Sequence, residues 1–328
     1  MNFRKILYIV VLAAVALSCE KEEEYTSLPS LEGMLRIYGL PEFLSPGQQV
    51  TLTHSQVKNP DGGEVGYCWK VTPTQSKYDT LDVFTHTFSD TLKTYSVYCS
   101  AFSTGYSSLS AVSYTTVVKP GYNGSIRGVN YKSIAEDSVF VRHMPYYYKQ
   151  IGNQTWTLNN MAVRSGIPFR NAEVMSEVFG RYYNFSEAKA ACDSLDRDGQ
   201  NWELPSMKDW AILENHISGM TGEGKAYGKS FAAAALANAY FNDKLMVEYW
   251  PEVGDITNGS GFSALSAGYA NMVANSFNGE FEYAAFWTSD EATSTEGYYK
   301  YITYDQPGLS TGKGNKESFG ASVRCIRK

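Results

Sequence analysis

The chain has 328 residues, a formal net charge of −6 and no cluster of basic residues. An acidic surface without a basic patch argues against nucleic acid as a partner, and the length is enough for two ordinary domains. Aromatic residues make up 14%, with 25 Tyr among them; they suit exposed strands and binding surfaces equally well.

The chain starts with Arg4 and Lys5, followed by an uncharged apolar run from Ile6 to Leu17. That run is too short to cross ~30 Å of hydrocarbon as a helix, and basic flank and apolar stretch together predict a secretory signal peptide over residues 1–18. The junction Ala16-Leu17-Ser18-Cys19 resembles the lipobox of bacterial lipoproteins, with Ala16 where that family prefers leucine. The resemblance implies cleavage before Cys19 and acylation of its thiol and amino group, each buried methylene adding about 0.8 kcal/mol of membrane attachment. An acidic run, Glu20-Lys21-Glu22-Glu23-Glu24, follows at once. Residues 19–29 read as a solvated tether. Behind a lipid cysteine the run also resembles the export signal of Bacteroides lipoproteins. It therefore implies a lipid-anchored protein on the outer face of the outer membrane. Cys68, Cys99, Cys192 and Cys325 remain; an even count in an exported chain predicts two disulfides, with one pair in each half.

Residues 30–119 show short β-runs broken by turns. Strands are expected over 34–38, 49–54, 66–72, 82–88, 94–103 and 110–119. Asn59-Pro60-Asp61-Gly62-Gly63 turns the chain between the second and third. This spacing, with no helical period, predicts an all-β sandwich. The stretches Gly66-Tyr67-Cys68-Trp69-Lys70-Val71-Thr72-Pro73, Phe84-Thr85-His86-Thr87-Phe88 and Tyr95-Ser96-Val97-Tyr98-Cys99 resemble PKD and other immunoglobulin-like modules of bacterial surface proteins. Alternation puts Tyr67, Trp69 and Val71 on one face and Cys68 with Lys70 on the other. A Cys68–Cys99 bond is expected as a cross-strand staple on one sheet. Such modules act as spacers. The turn-rich Lys119-Pro120-Gly121-Tyr122-Asn123-Gly124-Ser125 opens an expected linker over 120–134.

From 135 to 328 the pattern changes. Phe185, Ala188, Cys192 and Leu195 lie on one helical face, with Asn184 as N-cap and Glu187 completing a capping box. A second helix begins after Pro205 with Ser206 as cap and Met207, Trp210, Leu213 and Ile217 as its apolar stripe. An alanine-rich helix is expected over 228–240, then strands over 262–269, 285–289, 298–304 and 321–327. Helices leading into loop-rich strands predict an α+β arrangement. Five blocks carry a resemblance: Ile151-Gly152-Asn153-Gln154-Thr155-Trp156; Asn201-Trp202-Glu203-Leu204-Pro205-Ser206 with Trp210; Gly261 to Tyr269; Phe286-Trp287-Thr288-Ser289; and Ser322-Val323-Arg324-Cys325-Ile326-Arg327. In this order they resemble the Fibrobacter succinogenes major paralogous domain, which is similar in fold to C-type lectin-like domains and to formylglycine-generating enzymes. The likeness to lectin-like domains implies a bond between Cys192, on the first helix, and Cys325, on the last strand. In the chain-entropy model a loop of that length could be worth a little over ~4.7 kcal/mol as an upper figure.

No catalytic residue emerges. Formylglycine-generating enzymes need reactive cysteines near the C-terminus, and this chain offers Cys325 there, which the implied disulfide consumes. The Trp-Asn-Asp motif of calcium-dependent lectins is reduced to Trp287-Thr288-Ser289. Asp196-Arg197-Asp198-Gly199 lacks carboxylates at the first and twelfth positions of an EF-hand, where Ser194 and Pro205 stand. His54, His86, His143 and His216 show no metal spacing, and no serine-hydrolase elbow, Walker or dinucleotide fingerprint is present. Neither a metal nor a cofactor is expected, and the chain reads as non-enzymatic. The loops between central strands form the ligand face in lectin-like folds. Here that face would draw on Tyr249, Trp250, Asp255, Asn258, Asn271, Asn275, Tyr283 and Asp305, unless these aromatics pack beneath the loops. The expected role is binding an extracellular glycan or protein; the alternative is a structural part of an envelope or adhesive, fimbrial assembly.

Overall fold

Period-two alternation between residues 30 and 118 becomes eight strands in the computed structural model: β1 (Ile37–Tyr38), β2 (Phe43–Leu44), β3 (Gln48–His54), β4 (Gly66–Thr72), β5 (Asp79–Thr80), β6 (Phe84–Phe88), β7 (Thr94–Phe102) and β8 (Leu109–Val117). The structure describes residues 27–328 apart from 76–78, 90–92, 122, 197–198, 220–239, 242–246, 249, 251–256 and 304–307. Cys19 and the expected signal peptide lie outside the described residues. One sheet has the order β1-β3-β6 and a second the order β2-β8-β7-β4-β5. Pairing is antiparallel except between β2 and β8.

Inward residues of both sheets meet around Trp69, which is fully buried. Its ring stacks on Phe84 at 5.6 Å, and its Nε1 donates to the Leu81 carbonyl at 2.9 Å. The expected Cys68–Cys99 bond is not formed, and both thiols are free. Register explains this correction. Trp69 pairs with Cys99 and Cys68 with Ser100. Consecutive strand residues face opposite ways, so Cys99 joins Trp69 in the core while Cys68 sits on the outer face. Burial, with Cys68 nearby as a lesser cause, pushes the Cys99 thiol up to about 12.

The remaining strands are β9 (Ile126–Arg127), β10 (Asp137–Val141), β11 (Met144–Ile151), β12 (Gln154–Thr157), β13 (Ile167–Pro168), β14 (Arg181–Tyr182), β15 (Trp202–Glu203), β16 (Tyr240–Phe241), β17 (Val247–Glu248), β18 (Tyr269–Asn271), β19 (Ser276–Asn278), β20 (Tyr283–Glu291), β21 (Glu296–Thr303), β22 (Ser310–Asn315), β23 (Phe319–Gly320) and β24 (Ile326–Arg327). They form a five-stranded sheet, β10-β11-β12-β24-β15, and smaller sheets β20-β21-β22, β19-β18-β23, β17-β16-β9 and β13-β14. The α-helices among the described residues are α1 (Ser176–Phe179), α2 (Phe185–Asp193) and α3 (Met207–Gly219). None is long and apolar enough to cross a membrane. The described chain is thus mostly β, with strands spread over several sheets.

Helix α2 starts where its capping box requires: the Glu187 amide donates to Asn184 Oδ1 and the Asn184 amide to Glu187 Oε2, both at 2.9 Å. Its buried face carries Phe185, Ala188, Ala191 and Cys192. Cys192 is bonded to Cys325, with Cα atoms 5.6 Å apart, tying α2 to the residue before β24. Helix α3 buries Trp210, Leu213 and Ile217, and its entry is held by Ser206 and Asp209, each amide donating to the other's side chain.

Three further expectations have different outcomes. Residues 262–268 form irregular backbone rather than a strand, because Ser263 (φ 60°) and Gly268 (φ 73°) turn left-handed. The expected third helix falls almost wholly outside the described residues, and its last position, Tyr240, belongs to β16. Within 120–134, Ile126 in β9 pairs with Phe241 and Tyr131 packs in the core around Trp156. The turn formers end at Ser125; the apolar residues beyond it are taken into the fold.

Candidate ligand-binding face

The sheet β20-β21-β22 positions a partly exposed aromatic face. Tyr283, Ala285 and Trp287 alternate onto one side of β20, and the register sets Ala285 opposite Tyr301 and Trp287 opposite Tyr299. Tyr283 stacks on Tyr301 at 4.8 Å, meets Tyr269 edge-on at 5.5 Å, and donates from its hydroxyl to the Tyr299 hydroxyl at 3.5 Å. Tyr299 stacks on Phe319 at 4.5 Å. Desolvation, then the Tyr299 hydroxyl, raises the Tyr283 phenol above its ordinary value. Across the ladder from Tyr299 stands Gly312. A Cβ there would lie 2.3 Å from the tyrosine ring, so glycine is what lets the ring lie flat over β22. Tyr269, Tyr283, Tyr299 and Tyr301 are all half-buried. Tyr269, Tyr283 and Tyr299 pack against the core cluster around Trp287.

The eight residues expected at a ligand face divide sharply. Tyr283 is in the tyrosine ladder. Asn271 lies two residues from Tyr269 along β18 and is exposed, its Oδ1 accepting from the amides of Val273 and Ala274. Asn275 is exposed with φ 49°, in the same hairpin turn. Trp250 is a correction: it is fully buried beside Trp156 and Trp210, and its Nε1 donates to the Ala264 carbonyl at 3.2 Å. Asn258 is half-buried, and its side chain braces a loop by accepting from the Ser263 amide at 2.9 Å and donating to Ser263 Oγ at 2.8 Å. Tyr249, Asp255 and Asp305 lie outside the described residues. Tyr269, on β18, and Tyr299 and Tyr301, on β21, were not singled out by sequence; for the last two, period-two spacing on β21 and the facing Gly312 of β22 are the signal.

Beneath this region lies a buried cation. The fully buried Arg324 guanidinium donates to Asn160 Oδ1 at 2.6 Å and to the carbonyls of Thr157, Phe262 and Ser263 at 3.1, 2.7 and 2.8 Å. It lies over the Phe262 and Phe286 rings. Desolvation brings its pKa down to about 10, against a smaller opposing effect of Tyr131. It is a structural pin, holding the irregular 262–263 backbone to the end of β12. Among the described residues no group of three or more His, Cys, Asp or Glu is placed to hold a metal.

Several small sheets, tied by one long disulfide, carry the tyrosine ladder. The family model of the Fibrobacter succinogenes major domain matches residues 150–327, more than half of the chain, and the chain belongs to that family. No curated protein matches it. Among solved structures, the "Structure of Yersinia pseudotuberculosis adhesin InvE" covers 91% of this chain and 70% of its own at 11% identity, with a TM-score of 0.27. That superposition is too loose to transfer fold or role.

Proposed function

We propose that the protein is a non-enzymatic surface lipoprotein of the outer membrane, anchored through Cys19. In this reading residues 30–119 are an immunoglobulin-like stalk, and residues 135–328 a C-type lectin-like domain that binds an extracellular glycan or protein. The observation that carries the reading is the ladder of half-buried tyrosines on β20 and β21, with Tyr299 flattened against Gly312 of β22. Such rings offer rigid apolar area at low conformational cost. The lectin-like assignment is supported by the Cys192–Cys325 bond, which joins the first long helix of this region to the residue before its last strand. The same bond occupies the C-terminal thiol that formylglycine-type chemistry would need.

A glycan array probed with the chain from Cys19 to Lys328 tests the reading. Signal on defined glycans, lost in Tyr301→Ala, is the expected result. Silence on the array, with crosslinking in cells capturing an envelope subunit, would replace it with a structural role in an assembly.

A further inference from the structure

Away from the tyrosine ladder, the hairpin β10–β11 carries two adjoining cavities of about 490 and 510 Å³, both within the range of about 300–1,000 Å³ usual for ligand pockets. They share His143, Pro145 and Tyr147 as a common wall. The first is walled by Met144, Tyr146 and Val163 and carries Arg142 and Arg164; the second carries Lys132, Glu136 and Ser138.

The wall is firmly built. Asn159, itself buried, accepts from the Tyr147 amide at 2.9 Å and donates to the Pro145 carbonyl at 3.1 Å, and the Ala162 amide donates to the Tyr146 hydroxyl at 3.1 Å. Tyr147 is stacked on Tyr131 at 5.8 Å. Its ring is therefore held in place before anything binds.

Arg142 is the unusual residue. It occupies a two-residue hairpin loop, since Val141 pairs with Met144, and it has φ 57°. Hairpins of this length favour glycine, asparagine or aspartate at such positions, and strained non-glycine residues cluster at ligand sites. Neither Arg142 nor Arg164 has a carboxylate within ion-pair distance among the described residues. The first cavity does include one carboxylate, Glu177, whose pKa is raised by desolvation. The balance in that cavity is nevertheless basic.

We propose that this paired cleft binds an acidic oligosaccharide, with a uronate carboxylate held by Arg142 and Arg164 and a neutral sugar extending past Tyr147 into the second cavity. Planar guanidinium groups match a carboxylate through paired charge-assisted bonds. The apolar floor of Met144, Pro145 and Val163 suits the C–H face of a sugar ring. Glu136 and Ser138 accept from hydroxyls in the second cavity, where Glu136 and Asp137 would repel a second carboxylate. The site shares no residue with the tyrosine ladder and goes beyond the function proposed above.

Calorimetric titration of the chain from Cys19 to Lys328 with a hyaluronan tetrasaccharide, in which uronate and neutral sugars alternate, tests this. Neutral chitotetraose is the control. The acidic sugar should bind at least about tenfold more tightly than the neutral one, and Arg142→Gly or Arg164→Gln should each cost about tenfold in affinity. Glycine relieves the left-handed backbone, so Arg142→Gly should melt no lower than the parent; lost binding in it is not lost folding. Equal affinity for the two sugars, unchanged binding in both arginine variants, or no binding at about 1 mM sugar would overturn the proposal. Binding abolished by Tyr301→Ala but not by the arginine variants would move the sugar to the tyrosine ladder, overturning the cleft while leaving the proposed function standing.

Discussion

Two tryptophan-centred regions of this chain are held together in different ways. Around Trp69 long antiparallel strands supply an apolar core by alternation alone, with two free thiols left in or beside it. Around Trp156, Trp210 and Trp287 long strands such as β11, β20 and β21 are interleaved with irregular backbone. There the chain uses a disulfide and a buried guanidinium to fix what sheet pairing leaves loose. Regular pairing satisfies backbone groups without help; irregular backbone must find side-chain partners. It is also the second region that presents the tyrosine ladder and the paired cleft. The ladder and the cleft stand on paired strands, while the irregular backbone at 262–263 is what needs the pins.

Removing the disulfide should break the comparison most visibly. Cys192→Ser with Cys325→Ser opens a loop of 133 residues in sequence separation, an upper loss of a little over ~4.7 kcal/mol. Denaturant titration followed by hydrogen exchange should show the loss in residues 150–327 and none around Trp69. Arg324→Met comes next. It strands Asn160 Oδ1 and three carbonyls, and a destabilisation of about 3 kcal/mol is expected, read from the same titration.

The Cys99 thiol gives a pH test of the first region. Its folded pKa of about 12 lies above its ordinary value of 9.0, so between those values the unfolded chain has released a proton that the folded chain retains. The contribution is fully present below pH 9 and falls as pH rises towards 12. Cys99→Ala should flatten that part of the stability profile. Thiol titration at pH 8 should find Cys99 unreactive in the native chain, and on unfolding both Cys68 and Cys99 should react, in addition to any unacylated Cys19. A native disulfide between Cys68 and Cys99, seen by peptide mapping, would contradict the register described above.

The smallest expected effect is at the contact between the regions. Arg170 bonds Glu42 at 3.0 Å and Glu280 at 2.8 Å, and Glu42 is about half exposed. Arg170→Ala should cost under about 1 kcal/mol, measured as a shift in the thermal midpoint.

Much of the framework was legible because it depends on short-range pattern. Strand Gly66–Thr72 follows alternation, and helix Phe185–Asp193 follows its cap and apolar face. What was hidden depends on partners far away in sequence. The faces of Cys68 and Cys99 follow from a register in which one residue of slip reverses every side chain. Trp250 and Asn258 have the composition of a binding loop, yet composition does not separate a loop's surface from its floor. Arg324 acquires its role from carbonyls some sixty residues earlier in the chain. The tyrosine ladder needed two strands and a facing glycine before it became a surface.

The most direct test of where this protein binds is a matched pair of variants on one glycan array, using the chain from Cys19 to Lys328. Tyr301→Ala removes a ring of the ladder, and Tyr114→Ala removes the most exposed aromatic of the Trp69 region, 61% accessible on β8. The account predicts that binding falls at least about tenfold, some 1.4 kcal/mol, in Tyr301→Ala and is unchanged in Tyr114→Ala. Loss in Tyr114→Ala with full binding in Tyr301→Ala would move the binding face to the Trp69 region and overturn the proposed function.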